Sequence, residues 1–179
     1  MDDFTQTAFV IRDLERSIEH WHAIGAGPFD IIDLDPLFAD PAKCPLTYRG
    51  KPSNERFRIA TGFLGKNQIE LIQPTNDAPG VFGDGLRERG EGMHHMQTLV
   101  RPVDAELFDR TAAGYTAHGL ELIATIMQPN GRRVAFFDSL SRLGFLLELV
   151  ERNERVVEMI IAQHQRHLDR DQHPMIMRY

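Results

Sequence analysis

The sequence predicts an α+β protein made of two βαβββ modules followed by a C-terminal helix. The first observation behind this prediction is that strand-like and helix-like runs follow one another in the same order in both halves of the chain. The second is that this order recurs after about ninety residues. The third is composition, because 179 residues with 42% hydrophobic and 26% charged side chains are typical of a globular protein.

The first module is predicted to begin with a strand over residues 5–11, where apolar side chains predominate. Asp13 can accept hydrogen bonds from the free N–H groups of a following helix, which we expect to reach about Ala23. The apolar face of this helix, at helical spacing, consists of Leu14, Ile18 and Trp21. The three remaining strands are predicted over residues 29–34, 56–63 and 67–72.

The second module repeats this order, beginning with a predicted strand over residues 94–100. Asp104 is the second candidate N-cap, and Gly119 ends the helix that follows it. The apolar side of this helix consists of Leu107, Phe108, Ala112 and Tyr115. The three remaining strands are predicted over residues 120–127, 133–137 and 145–150.

Four segments follow from these patterns. They are the first module at residues 1–75, a connector at 76–92, the second module at 93–151, and a C-terminal helix and tail at 152–179. Glycines in the connector indicate a flexible link. Residues 35–53 contain four prolines, and such a long segment is either a lid over a binding site or disordered. The C-terminal helix is amphipathic, so it packs on its own module or against a second subunit. Its predicted apolar face consists of Val157, Ile160, Ile161, His164 and Leu168.

Four polar side chains lie within apolar, strand-like runs: Gln6, Glu70, His95 and Glu148. A carboxylate in such a run is unfavourable to bury unless another group compensates its charge. Two carboxylates, an imidazole and an amide oxygen would compensate one another by sharing one divalent cation. Oxygen ligands with one imidazole suit Zn²⁺, Ni²⁺, Co²⁺, Mn²⁺ or Fe²⁺, and the sequence does not choose among them.

Over residues 5–151 the chain resembles the vicinal oxygen chelate superfamily, which includes glyoxalase I, methylmalonyl-CoA epimerase, extradiol dioxygenases and bleomycin-resistance proteins. The repeated module and the run Gly92–His95 carry this resemblance. It implies that the modules pair their sheets into a U-shaped trough with a metal inside. It also implies ligands at Gln6, Glu70, His95 and Glu148. The set Gln, Glu, His, Glu resembles glyoxalase I, and it departs from epimerase-like proteins at Gln6 and Glu70.

The resemblance implies a metal-dependent isomerase, epimerase or lyase that stabilises an enolate of a small carbonyl or thioester substrate. Glu148 or Glu70 is the expected catalytic base, because each lies beside the expected metal. Two alternatives stay open. One is an Fe²⁺-dependent ring-cleaving dioxygenase, although a fourth protein ligand leaves fewer open positions for oxygen. The other is a metal-free protein of the same fold that binds or sequesters a small molecule.

Several other residues carry weaker expectations. Strand alternation places His94 on the face opposite His95. The histidine pair His164 and His167 is expected on a solvated helix face, and Arg132 and Arg133 are interpreted as solubilising charges or as contacts to an anionic substrate. Most strand phenylalanines are expected in the core, so no more than two or three are expected to line the substrate pocket, drawn from Phe9, Phe29, Phe57, Phe63, Phe136 and Phe137.

Charge and cysteine content limit which partners and which cellular compartment are expected. A net charge of −6 gives no basic surface for nucleic acid or for anionic membranes. Cys44 is the one cysteine of the chain, so no internal disulfide can form. The N-terminus carries no apolar leader, and no apolar run approaches membrane-spanning length. We therefore expect a cytoplasmic protein with a small-molecule substrate, and the resemblance adds a homodimer.

Overall fold

The structure, a computed structural model, describes residues 4–32, 34, 40, 42–97 and 100–178. The first half contains β1 (Thr5–Val10), α1 (Leu14–Ala23), β2 (Phe29–Ile32), β3 (Leu46–Tyr48), β4 (Lys51–Pro52), β5 (Phe57–Leu64), β6 (Asn67–Pro74) and α2 (Val81–Arg89). The second half contains β7 (Gly92–Gln97), α3 (Ala105–Ala117), β8 (Glu121–Met127), β9 (Arg133–Asp138), α4 (Leu140–Leu143), β10 (Leu146–Val150), α5 (Glu154–Leu168), a 3₁₀ turn (Arg170–Gln172) and β11 (Ile176–Arg178).

The described strands form one curled, open sheet in the order β11-β2-β5-β6-β1-β7-β10-β9-β8-β3-β4. The first strands of the two modules, β1 and β7, lie side by side and antiparallel at its centre. Each pairs in parallel with the last strand of its own module, β1 with β6 and β7 with β10. The predicted α+β fold with two paired βαβββ modules and a C-terminal helix is therefore confirmed.

The two module helices begin where their caps were predicted. The Asp13 carboxylate accepts a hydrogen bond from the Arg16 N–H at 3.0 Å, and the Asp104 carboxylate accepts one from the Leu107 N–H at 2.8 Å. Both helices pack on one face of the sheet, α1 against Ile69 and Leu71 and α3 against Phe137 and Leu149. The opposite face borders the trough. No helix in the described residues is long and apolar enough to cross a membrane.

The connector contains helix α2, which the glycine content did not predict. Its glycines permit close packing: a Cβ atom on Gly80 would stand 2.1 Å from the Glu55 carboxyl group, and one on Gly85 would stand 2.9 Å from the His94 ring. Glu55 is buried and accepts a hydrogen bond from the Gly83 N–H in the first turn of α2. The connector therefore contains regular structure, and Gly80, Gly83 and Gly85 permit its close packing. Its flexibility stays a prediction.

The proline-rich segment contributes strands to the other module. Within residues 35–53, the described part forms the hairpin β3–β4, and β3 pairs with β8 of the second module. Residues 35–39 and 41, which the lid hypothesis includes, lie outside the described residues. The hairpin extends the sheet at the edge of the second module.

Helix α5 packs against β5 with a face that differs from the predicted one. Its buried residues are Val157, Ile160, Gln163, His164 and His167. The expectation of a solvated histidine pair is wrong, because both rings pack near Phe63, with ring centroids 5.0 Å away for His164 and 6.4 Å for His167. Both ring nitrogens of His167 have a backbone hydrogen-bond partner. Nδ1 lies 2.8 Å from the Gly27 carbonyl, and Nε2 accepts a hydrogen bond from the Gly65 N–H at 3.1 Å. Ile161 and Leu168, predicted to be buried, are exposed.

Candidate metal centre

Three of the four predicted ligand residues meet on the concave side of the sheet. The ligand atoms of Glu70, His95 and Glu148 all lie within 4.8 Å of one another. His95 Nε2 is 3.2 Å from a Glu70 oxygen and 3.4 Å from a Glu148 oxygen. His95 has no solvent exposure, and the carboxylate side chains are 13% and 8% exposed. Two carboxylates and one imidazole therefore share a nearly dry site.

Strand register explains why these side chains converge. Glu70 on β6 and His95 on β7 both pair with Ala8 of β1, and Leu146 of β10 pairs with His95. Paired residues point to the same face of a sheet. The neighbouring row on that face runs across the same four strands and consists of Gln68, Gln6, Gln97 and Glu148. The four predicted ligands thus occupy two adjacent rows, with the small side chain of Ala8 between Glu70 and His95.

Gln6 lies beside this group, and a hydrogen bond to the Gln68 amide fixes the orientation of its side chain. Its Nε2 donates to Gln68 Oε1 at 2.9 Å, and its own Oε1 is buried without a hydrogen-bond partner among the described residues. Gln68 Nε2 in turn donates to Gln163 Oε1 on α5 at 2.6 Å. The Gln163 amide is oriented because its Nε2 donates to the Thr61 carbonyl at 2.9 Å, a group that can only accept. This chain of three amides leaves the Gln6 oxygen as the free end.

His94 orients His95 through a β-bulge. The pairing of β1 with β7 shifts after Ala8, so both histidines lie on the same side and His94 Nδ1 is 2.9 Å from His95 Nδ1. His94 Nε2 lies 2.9 Å from the Val81 carbonyl, which can only accept. His94 must therefore donate from Nε2 and accept at Nδ1, so His95 donates from Nδ1. The expectation that His94 faces away is wrong, because it assumed an unbroken strand.

The His95 Nε2 atom is therefore left with a lone pair when the ring is neutral. It is buried, and the Glu70 and Glu148 oxygens 3.2 and 3.4 Å away can accept a hydrogen bond from it only when the ring is protonated. Burial, aided by the neighbouring His95, lowers the pKa of His94 to about 3 and keeps that ring neutral. A histidine whose far nitrogen is held by a hydrogen bond is the usual arrangement of a metal ligand.

A third hydrogen-bond chain holds Glu148. Gln97 Nε2 donates to a Glu148 oxygen at 2.6 Å, and the Arg152 guanidinium donates to Gln97 Oε1. Arginine can only donate, so the orientation of the Gln97 amide is fixed. Gln97, Arg152 and Gln163 were not singled out from the sequence. Gln97 could have been inferred from the sequence, because it shares a strand face with His95. The role of Gln163 could not, because it depends on how α5 packs on the sheet.

Burial and the neighbouring charges act in opposite directions on the pKa values of the three central groups. Burial disfavours the charged form of His95, but the charges of Glu148 and Glu70 outweigh it and raise the pKa of His95 to about 9. Burial raises the pKa of Glu70. Burial also acts to raise the pKa of Glu148, but the charge and hydrogen bonds of His95, with the bond from Gln97, hold it below its usual value. Without a cation, an imidazolium would balance the carboxylates.

The site opens into a cavity of about 900 Å³. Of the predicted phenylalanines, Phe57 and Phe136 line it, and Phe29 and Phe63 are buried in packing clusters elsewhere. Phe82 on α2 also lines it and was not predicted. Cys44 lies on the wall, and burial raises the pKa of its thiol, so it is a poor nucleophile.

The curled sheet of two βαβββ modules, with metal-capable side chains on the face that borders the cavity, defines the fold class of the protein. The chain belongs to the Glyoxalase/Bleomycin resistance protein/Dioxygenase superfamily, whose family model matches residues 5–136. The resemblance noted from the sequence is thereby confirmed. The matched segment ends before β10 and α5, so Glu148 and Gln163 lie beyond it.

Solved structures share the fold at low sequence identity. A hypothetical protein from Bacillus halodurans is 18% identical, with a TM-score of 0.57, over 85% of this chain and 95% of that one. A methylmalonyl-CoA epimerase from Mycobacterium tuberculosis is 18% identical, with a TM-score of 0.53, over 86% and 89%. A variant of the Streptomyces coelicolor methylmalonyl-CoA epimerase, in complex with 2-nitronate-propionyl-CoA, is 20% identical, with a TM-score of 0.54, over 82% and 94%. No curated protein sequence matches this chain.

Proposed function

We propose that the protein is a metal-dependent isomerase, epimerase or lyase of the glyoxalase type. The observation that carries the proposal is the convergence of Glu70, His95 and Glu148 within 4.8 Å in a buried site that opens into a cavity. Fold similarity to methylmalonyl-CoA epimerases supports an epimerase-type reaction, with a thioester as one candidate substrate.

The residues fit a divalent cation. Two buried atoms, Gln6 Oε1 and the Nε2 of a neutral His95 ring, receive no hydrogen bond from the described residues, and each is the free end of an oriented chain. With Glu70 and Glu148 they form a set of three oxygen donors and one nitrogen donor, which suits Zn²⁺, Ni²⁺, Co²⁺, Mn²⁺ or Fe²⁺. When bound, such an ion supplies a Lewis acid that stabilises negative charge on a substrate oxygen.

Glu70 is the better placed of the two carboxylates to act as a base. Gln97 donates a hydrogen bond to Glu148, whereas Glu70 lies 3.2 Å from His95 Nε2. Glu70 is also the more exposed of the two towards the cavity. It can therefore accept a proton from a carbon next to a carbonyl and return it to another position, while Glu148 stays in place. Returning the proton to a neighbouring atom gives isomerisation. Epimerisation requires in addition that a second acid protonate the opposite face of the enolate, or that the enolate turn over before Glu70 returns the proton.

A metal-free binding protein is the second candidate. The observation that favours it is the raised pKa of His95, because an imidazolium between two carboxylates would stabilise the site without an ion. A ring-cleaving dioxygenase is less well supported, since four protein ligands leave fewer positions for oxygen. A homodimer and a cytoplasmic location stay predictions, and light scattering on the purified protein tests the first.

Metal quantification tests the proposal. We expect the purified protein to retain a divalent ion in stoichiometric amount, and Glu148→Gln and His95→Ala to lose most of it because each removes a ligand. His118→Ala, at an exposed position on the end of α3, is the control and should retain the ion. Wild-type protein that takes up no divalent ion, or variants with unchanged content, would show that the assigned ligands are wrong. Oxygen consumption with catechols would favour the dioxygenase instead.

A further inference from the structure

We infer that the trough accepts a bulky, largely apolar carbonyl compound that is neutral or carries a single negative charge. The inference rests on the proposed function, since the carbonyl end is assigned to the candidate metal centre. The apolar body of the ligand is inferred separately, from the size, lining and charge pairing of the cavity. Three steps lead to it.

The first step is size. The cavity of about 900 Å³ lies near the upper end of the roughly 300–1,000 Å³ that ligand pockets occupy. A carbonyl compound of a few atoms would fill only a small part of it, and the rest would hold water against apolar walls. A molecule of drug-like size with a ring system or a long acyl chain would fill it.

The second step is the chemistry of the walls. Three phenylalanines, Phe57, Phe82 and Phe136, line the cavity, and the Phe136 ring centroid lies 5.1 Å from that of His95. Helix α5 adds Met159 and Ile160 to the same cavity. Aromatic and aliphatic walls that begin beside the carboxylates and continue to α5 match a ligand with one polar end and an apolar body.

The rim is apolar as well. Ile32 and Met159 both line the cavity, yet they are 42% and 64% exposed. They stand on different elements, β2 and α5, so the exposed apolar surface faces the opening from two sides. A bound apolar molecule would cover both side chains and remove this surface from water.

The third step is charge. The cationic groups of the cavity are largely engaged: Arg166 pairs with Asp30 at 2.6 Å, and Arg152 donates to Gln97. Arg133 next to the cavity pairs with Glu151 at 2.7 Å and with Asp109 at 2.6 Å. Arg132 also lines the cavity, and no described residue forms an ion pair with it, so it can take one anionic group. A cluster of free cations, which a ligand recognised through several phosphates would need, is not found among the described lining residues.

Two diketones that share the reacting end and differ in the body test the inference. Benzil carries two phenyl rings on a vicinal diketone, and butane-2,3-dione carries two methyl groups. By calorimetry or ligand-observed NMR, we expect benzil to bind at least about tenfold more tightly. Equal affinities would overturn the inference.

Substitutions at the rim localise the binding. Met159→Asp should weaken benzil binding by about tenfold, because it places a charge where the apolar body packs. Ile161→Asp is the matched control, since Ile161 lies on the same helix, is exposed and does not line the cavity. Equal effects of the two substitutions would contradict the assignment.

The experiment also separates the two proposals. Repeating the diketone comparison with a chelator present removes any contribution of a metal ion. A retained preference for benzil supports the apolar trough even if the proposed metal chemistry fails. Loss of the preference for benzil in the chelated protein would overturn the inference, whatever the metal content of the untreated protein.

Discussion

Single groups of fixed hydrogen-bonding polarity, two backbone carbonyls and one guanidinium, determine how the site is arranged. The Thr61 and Val81 carbonyls can only accept hydrogen bonds, and the Arg152 guanidinium can only donate them. Each begins a chain of hydrogen bonds that ends at a candidate ligand: Gln6, His95 or Glu148. The first group of each chain can only accept or only donate. The donor and acceptor roles of the side chains that follow it are therefore fixed.

Glu55 is a buried carboxyl group outside the candidate site, and it makes stability depend on pH. Burial, opposed by hydrogen bonds from Gly83 and Phe82, raises the pKa of Glu55 from 4.5 to about 7. Below about pH 4.5 the group is protonated in both the folded and the unfolded state, so it gives stability no pH dependence there. Between pH 4.5 and 7 the unfolded chain releases the proton more readily, so stability falls as the pH rises.

We expect Glu55→Gln to remove this pH dependence. Relative to the wild type, the free energy of unfolding of the variant should increase between pH 4.5 and 8 by on the order of 3 kcal/mol, since one pKa unit corresponds to about 1.4 kcal/mol. Urea unfolding at several pH values measures the difference. Glu88→Gln, at an exposed position on α2, is the control. A difference between Glu55→Gln and wild type that does not change with pH would contradict the expectation.

At the residue scale, the shared face of the four candidate ligands could be predicted because strand alternation has a fixed period of two. That period fails at His94, where the bulge brings two successive histidines to one side. No feature of Gly92–Gln97 marks the bulge, because it depends on pairing with β1. Metal binding by Gln6, Glu70, His95 and Glu148 itself stays a prediction.

Among the elements, α5 connects the C-terminal part of the chain to the candidate ligands. Its Gln163 side chain accepts a hydrogen bond from the Gln68 amide and donates hydrogen bonds to Asp30 and Thr61 at 2.8–2.9 Å. We therefore describe Gln163 as a positioning residue that acts on Gln6 through Gln68.

We expect Gln163→Leu to weaken the affinity for divalent cations by about tenfold, because it frees the amides of Gln68 and Gln6 to rotate. Gln165→Leu is the matched control, since Gln165 lies on the same helix and is exposed. Competition with a chromophoric chelator measures affinity, and the visible spectrum of a Co²⁺-loaded sample reports the ligand geometry. Unchanged affinity and spectrum in Gln163→Leu would exclude the positioning role.

The helices differ in how far the sequence predicts them. Helices α1 and α3 have side-chain caps at Asp13 and Asp104 and apolar faces at regular spacing, and both were predicted. Helix α2 begins at Val81, its N-cap Gly80 has no side chain to cap it, and it contains glycines that are typical of a linker. The buried face of α5 was misjudged because Gln163, His164 and His167 are polar, and only their partners on the sheet make burial favourable.

Across the whole molecule, the candidate centre joins the two modules. Gln6 and Glu70 come from the first module, and His95 and Glu148 come from the second. A cation held by all four would bind the folded chain and not the unfolded one, so it would stabilise both modules together.

We expect chelation to lower the melting temperature of the whole chain in a single transition. At a free ion concentration of about 100 times Kd, binding contributes about 2.7 kcal/mol to the free energy of unfolding. Calorimetry with added Zn²⁺ or Ni²⁺ and with chelator measures the shift. His95→Ala should show little response to either, and a full response in that variant would argue for a binding site elsewhere.

The order of elements could be predicted at this scale because the two halves repeat the same pattern. Pairing between the halves could not: β3 joins β8 of the other module, and β11 joins β2 at the far edge. Such contacts are remote in sequence and leave no local periodicity. The predicted boundaries at residues 75, 92 and 151 accordingly stay predictions.

The short outer strands of the sheet bear on how the protein behaves at high concentration. The described sheet ends in β11, with three residues, and in β4, with two residues including Pro52. A long unpaired strand would offer its backbone to other chains and promote fibril formation, and proline cannot donate a hydrogen bond. Removing Ile176–Arg178 would uncover β2 and its exposed Ile32. We therefore expect the colloidal stability of this protein to depend on β11 as well as on the core.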